Sequence, residues 1–164
     1  MKIRPYQKAD KANCLDIFSS NCPLYFDTAE YDLFSKWLDH QGGQTGYESP
    51  TYQDAEKDAY YVLENKNSVL IACGGFYIVK NMPEARMAWG MVHAAFHAQS
   101  FGSTLYQYRK DVIKETWPQH KITLGTSQHT FKFYEKMGLK LINTIPAGYG
   151  PDLDQYNMEE NQNK

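Results

Sequence analysis

The chain has little that would staple, anchor or steer it. Its 164 residues hold three cysteines, Cys14, Cys22 and Cys73. An odd count without CxxC or Cys/His ligand spacing excludes a disulfide framework or zinc site readable from sequence. No apolar run approaches the ~18 residues of a membrane span, and the opening "MKIRPYQKAD" is polar, without the apolar stretch of a signal segment. Neither charge sign is in excess: the formal net charge is -2 and the pI is near 6.2. No basic field points to nucleic acid or an anionic membrane as partner. The expectation is a protein of a reducing cytoplasm. Glycine is scarce in one telling place. "MVHAAFHAQSFGSTLYQYR" (residues 91–109) has the layout of a phosphate-binding loop, yet keeps a single glycine, Gly102.

Aromatics, by contrast, reach 15%, with thirteen tyrosines. Both a tyrosine-rich core and a concave site lined by phenols fit that composition. No internal repeat is present, and the length suits one domain, expected over residues 1–158 with a polar tail at 159–164. "KIRPY" reads as a first strand. Asp10 is placed to cap a helix over residues 11–19, with Cys14, Leu15 and Phe18 on one face. Asp27 with Glu30 forms a capping-box pair ahead of a second helix striped by Leu33, Phe34, Trp37 and Leu38. Residues 40–58 read as a long polar loop, either a lid or a solvated excursion.

From Ala59 the pattern turns to strands: "AYYVLEN" and "SVLIACGGFYIV" around the turn "KN", then "EARMAWGMVH". A helix follows, with Phe101, Leu105, Tyr108 and Val112 spaced to face a sheet. "HKITLGTS" is a further strand and "QHTFKFYEKMGL" a helix stopped by Gly138. "KLINTIP" and "LDQYNMEE" close the chain as strands. The order β-α-α-β-β-β-α-β-α-β-β predicts an α+β domain. Its sheet would be mixed, mainly antiparallel and flanked by about four helices.

That order, with two motifs, resembles the GNAT superfamily of acyl-CoA-dependent N-acetyltransferases over nearly the whole chain. In that family a strand often ending in Val-His leads into Q/R-x-x-G-x-G/A and Gly-Ser-x-Leu. Here Val92-His93 and the run from His97 to Leu105 occupy those places. Gly102 and Ser-x-Leu match, His97 stands for Gln/Arg, and Ser100 stands for the inner glycine. "TSQHTFKFYEKMGL" is similar to the family's N-x-x-A-x-x-F-Y-E-K-x-G-F, with Ser127 and Thr130 replacing Asn and Ala.

The resemblance implies acetyl-CoA as co-substrate. Its pyrophosphate would lie on the amides of Ala98, Gln99, Ser100, Phe101, Gly102, Ser103 and Thr104, with His97 as a side-chain donor. The pantetheine amides would pair with the strand edge at Met91, Val92 and His93. Ser127, Thr130 and Phe133 would line the same arm. Tyr134 matches the family's acid for the leaving thiolate; without that match it reads first as a helix-face aromatic packed in the core. The oxyanion donor would be a backbone N–H near Met91 and Val92.

"RMAWGMV" lacks the strand glutamate that many GNAT enzymes use as base. Glu84, Asp27, Glu30, His129, Asp152 and Asp154 are the titratable residues that could border the acceptor, and a water chain without a dedicated base is the other possibility. Tyr25, Tyr31, Trp89, Thr126, Gln128 and Tyr149 form the expected acceptor pocket, whose aromatics suit a cationic amine. His93 and His97 lie outside any HxxxH-on-helix arrangement, so no metal is expected. Three readings follow. They are acetyl transfer to the amine of a small molecule or peptide, a GNAT-fold module that binds acyl-CoA without catalysis, and a plain interaction domain. The family resemblance also allows a homodimer.

Overall fold

Among the described residues, seven strands and four α-helices follow one another in the expected order. The computed structural model describes residues 1–43 and 54–161. The strands are β1 (Lys2–Pro5), β2 (Ala55–Glu64), β3 (Leu70–Val79), β4 (Glu84–Val92), β5 (Lys121–Thr126), β6 (Leu139–Gly150) and β7 (Leu153–Glu160). The helices are α1 (Lys11–Ser20), α2 (Tyr31–Gln41), α3 (Phe101–Thr116) and α4 (Phe131–Lys136). One sheet runs β1-β2-β3-β4-β5-β7-β6, and every pair is antiparallel except β4 with β5.

"SVLIACGGFYIV" forms β3, buried along nearly its whole length because helices cover both faces of the sheet. On one face α1 and α2 bury Ile17, Phe18, Phe34, Trp37 and Leu38 against Tyr60, Val62 and Tyr77. On the other, α3 and the start of β6 close over Phe76, Ile78, Ile122 and Leu124 with Tyr106, Ile113 and Leu139.

Several local expectations shift. Asp10 does not cap α1 with its side chain. Its carboxylate accepts the Gln7 amide (2.8 Å) and both terminal nitrogens of Arg4 (2.8 and 2.9 Å), fastening β1 to the 3₁₀ turn before α1. Leu33 is on the outer side of α2 rather than in its buried stripe. The buried face of α3 is Leu105, Tyr106, Arg109 and Ile113; Phe101, Tyr108 and Val112 only flank it. An arginine at a core position hid that register, because a charged side chain breaks the apolar periodicity on which the reading relied.

The capping box before α2 is present as read, with Asp27 accepting from Ala29 N–H and Glu30 reaching back to Asp27 N–H. Gly138 stops α4 at φ +95, a left-handed position that favours glycine. Most of the 40–58 loop lies outside the described residues. At its ends α2 continues to Gln41 and β2 begins at Ala55, and His40 Nε2 is 2.6 Å from Asp58 Oδ2 across the gap. β7 reaches Glu160, two residues into the expected tail.

Candidate active site

β4 and β5 pair only from Glu84–Lys121 to Arg86–Thr123. Beyond that point β4 continues to Val92 and β5 to Thr126 without a shared ladder, so the sheet opens as a V. A β-bulge helps to turn β4: Cys73 pairs with Met91 but Gly75 with Ala88, and Trp89 has φ 51. A cavity of about 970 Å³ fills the opening. The loop before α3 closes one end, α4 forms a side, and the turn before α2 with the end of β6 closes the other.

The first end is backbone-rich. Ala98 and Ser100 both take left-handed φ, 60 and 67. Such turns fold neighbouring N–H groups into a concavity suited to an anion. The first backbone hydrogen bond of α3 runs from Thr104 N–H to Ser100 O (3.1 Å). The amides of Phe101, Gly102 and Ser103 precede it and carry the positive end of a 16-residue helix. A Cβ at Gly102 would meet Phe133 and Val92 at 3.5 and 3.7 Å, ordinary contact, so no protein atom demands glycine there.

Several expected residues have partners within the protein. His97 lines the cavity, with Nε2 2.9 Å from Val92 O and its ring edge-on to Tyr25, so that nitrogen braces the strand end. Asn21 also donates to Val92 O (2.9 Å), which leaves that carbonyl doubly occupied. His93 N–H bonds Ile71 O, and the His93 ring accepts from Ala95 N–H and pairs with Asp16. Because neighbouring residues of a strand point their amides to opposite sides, Met91 N–H faces β3 and Val92 N–H faces the opening. Thr104 Oγ1 returns to Ser100 O, and neither Gln99 nor Thr104 lines the cavity. Ser100, Phe101, Gly102, Ser103, Ser127, Thr130 and Phe133 do line it, and Thr130 is hydrogen-bonded to Thr126.

Tyr134 lines the cavity from α4. Burial raises its phenol pKa, while the nearby guanidinium of Arg109 opposes that rise. Tyr106 packs edge-on against its ring at 6.0 Å.

Tyr25, Trp89, Thr126 and Tyr149 line the cavity, joined by Phe26, stacked on Trp89 at 6.2 Å. Tyr31 and Gln128 do not. Tyr31 is exposed and edges onto Phe18. Gln128 is spent on the β6–β7 turn, donating to Asp152 O and accepting from Asp154 N–H.

Among the carboxylates, Glu84 accepts from Thr123 Oγ1 at the closed end of the V, and Asp154 accepts from Ala147 N–H. Asp27 packs against the Cα of Gly150. Glu30 alone of these lines the cavity; burial lifts its pKa to about 7, the nearby Asp27 charge adding to the rise and the hydrogen bond from Asp27 N–H opposing it. Tyr149 stands close enough to feel Glu30 and Arg86, and burial sets its pKa at about 12.

The sequence matches the Acetyltransferase (GNAT) family over residues 14–139. The chain belongs to that family. No curated protein sequence matches it significantly. Solved structures share the fold at low identity. A ribosomal-protein-alanine N-acetyltransferase from Brucella melitensis is 14% identical, with TM-score 0.72 over 98% of this chain and 99% of that one. An aminoglycoside 6'-N-acetyltransferase complexed with coenzyme A is 16% identical, with TM-score 0.68 over 98% and 96%. The yncA protein of Salmonella typhimurium, with its cofactor acetyl-CoA, is 17% identical, with TM-score 0.70 over 100% and 95%.

Within this GNAT domain, Arg109 and Phe26 went unread in the sequence. A signal for Arg109 existed: Leu105, Arg109 and Ile113 recur every four residues, and glycines interrupt β3 and β4 at 74, 75 and 90, where something approaches the strands closely. Among the described residues no cluster of three His, Cys, Asp or Glu could hold a metal, and no helix is long and apolar enough to cross a membrane.

Proposed function

We propose that this GNAT domain transfers an acetyl group from acetyl-CoA to a primary amine, on a small molecule or peptide, by direct attack in a ternary complex. The observation that carries the reading is one continuous cavity. It runs from the free amides of the α3 N-terminus, past Tyr134, to an aromatic end holding Glu30. The residues suit the co-substrate: unpaired N–H groups for a pyrophosphate, a splayed strand edge for amide groups, and no side chain at Gly102 to crowd them.

Val92 N–H is aimed into the opening and would donate to the oxyanion. Glu30, ionised near neutrality, would take the proton from the attacking amine, directly or through water. Tyr134 would give its proton to the departing thiolate. Tyr25, Phe26, Trp89 and Tyr149 would hold a cationic acceptor by their ring faces, with Glu30 as counter-charge.

The test is acetylation of a panel of amines, followed as thiol release. Tyr134→Phe is expected to lower kcat by about 10²-fold with little change in the KM for acetyl-CoA. Equal kcat in wild type and variant would remove Tyr134 from the reaction. Stoichiometric acetyl-CoA binding without turnover on any amine would favour a binding module. The same proposal includes a homodimer, because β6 is an outer strand with Leu141, Ile142 and Ile145 exposed, an edge suited to a second copy. A single-chain mass in sedimentation would argue against that.

A further inference from the structure

The guanidinium of Arg109 is 3% exposed and has no carboxylate partner among the described residues. Nη1 donates to Gly75 O at 3.0 Å, and Nε makes a longer bond to Leu105 O at 3.4 Å. Arg109 and Tyr134 line the same cavity, and Tyr106, three residues before Arg109 on α3, meets the Tyr134 ring edge-on at 6.0 Å. The phenols of Tyr134, Tyr60 and Tyr106 are close enough to bear on the guanidinium, and burial holds each of them protonated. Two glycines make its room. A Cβ on Gly90 would stand 2.9 Å from Nη2, and one on Gly74 would stand 3.0 Å from Cζ.

The sheet therefore gives up side chains on adjacent strands to seat a cation at the edge of the cavity. A buried cation without an anion is costly. Arginine keeps its charge under such burial, where lysine would readily give up its proton. The missing anion is the one the reaction would create.

We infer that Arg109 is a positioning residue for Tyr134, holding the phenol as donor and stabilising the negative charge that passes through it. This rests on the acetyl-transfer reading above. In that reaction the amine nitrogen forms a bond to the acetyl carbon and the carbon–sulfur bond breaks, its electron pair leaving on sulfur. The Tyr134 O–H proton goes to the thiolate, leaving a phenolate beside Arg109. The amine proton goes to Glu30, then by water back to Tyr134. The products are amide and thiol, with no net change in the protein. A fixed positive charge at the phenol lowers the cost of that transient phenolate without moving at the moment of reaction.

The test needs no acceptor. Coenzyme A itself is bound to the protein, and the ionisation of its thiol is followed by thiolate absorbance, with affinity measured in parallel by calorimetry. In wild type the bound thiol is expected to titrate below the free thiol. Arg109→Met should raise its pKa by about one unit with affinity nearly unchanged. Arg109→Lys should recover part of the shift. In a Tyr134→Phe background Arg109→Met should add nothing, which a merely structural role would not produce. Arg109→Gln carries the same expectation and decides the matter if the methionine variant does not fold. Identical thiol pKa values in wild type and variant, with coenzyme A bound to both, would overturn the role, as would an equal shift with and without Tyr134. Failure of wild type to bind coenzyme A would instead refute the acetyl-transfer reading itself.

Discussion

On the proposed reaction, Glu30 would serve a helix and a reaction together. Its carboxylate closes the capping box on Asp27 N–H while its burial against the cavity lifts its pKa from 4.5 to about 7. Glu30→Gln keeps the box and removes the titration. The sign for stability follows from proton counting. Between about pH 4.5 and 7 the folded chain holds a proton that the unfolded chain has released, so this group's contribution falls as pH rises through that window. Glu30→Gln is therefore expected to melt higher than wild type above pH 7, the difference closing below pH 4.5; melting curves across pH check this. In the rate profile, wild type should show an acidic limb near pH 7, which Glu30→Gln should lose together with about 10²-fold in rate. An unchanged limb would assign it to another group. The capping role was legible in the spacing of Asp27 and Glu30. The burial was not, because β6 returns from far down the chain to bring Tyr149 near Glu30.

The elements tell a parallel story. Element order, the β2–β3 hairpin and the stop of α4 were readable, because hydrophobic period, turn residues and Gly138 are local signals. What was not readable depends on charge buried at long range. Asp10 looked like a helix cap because cap residues are short and polar, but the stronger partner is Arg4, which also donates to Glu64 on β2 at 3.0 and 2.9 Å. That cluster ties β1, β2 and the entry to α1 together. Asp10→Ala is expected to destabilise the fold by roughly 1–3 kcal/mol, since it removes the acceptor of the Gln7 amide and one of the two carboxylates that pair with Arg4. Chemical denaturation at pH 7 measures it; a loss under about 0.5 kcal/mol would show the cluster to be surface-like. The Arg4 pairing holds the Asp10 carboxyl below its usual range against the upward pull of burial. Its contribution is thus present above the unfolded pKa and lost as pH falls through the folded one. The α3 stripe was misplaced for a related reason: Arg109 occupies a core position that composition rules assign to apolar residues.

At the scale of the molecule, the site exists because the sheet is parallel at one joint only. β4 and β5 diverge past Arg86, and cavity, strand edge and helix N-terminus all follow from that separation. The two motifs could be placed in sequence because they sit on either side of the V, at the head of α3 and along α4. Their side chains were harder to assign. His97 and Thr104 bond to the backbone of the loop, which fits the proposed binding by backbone N–H groups. Backbone reading also explains how Ser100 replaces a glycine at φ 67: the cost, about 1–2 kcal/mol, falls on loop stability and leaves the amides in place. Calorimetric titration with acetyl-CoA tests this most directly, comparing wild type with Gly102→Val. One-to-one binding by wild type, with a rise in melting temperature, and loss of at least tenfold affinity in a still-folded Gly102→Val protein is the predicted result. Absence of binding to wild type at millimolar acetyl-CoA, or equal affinity in the two proteins, would contradict it.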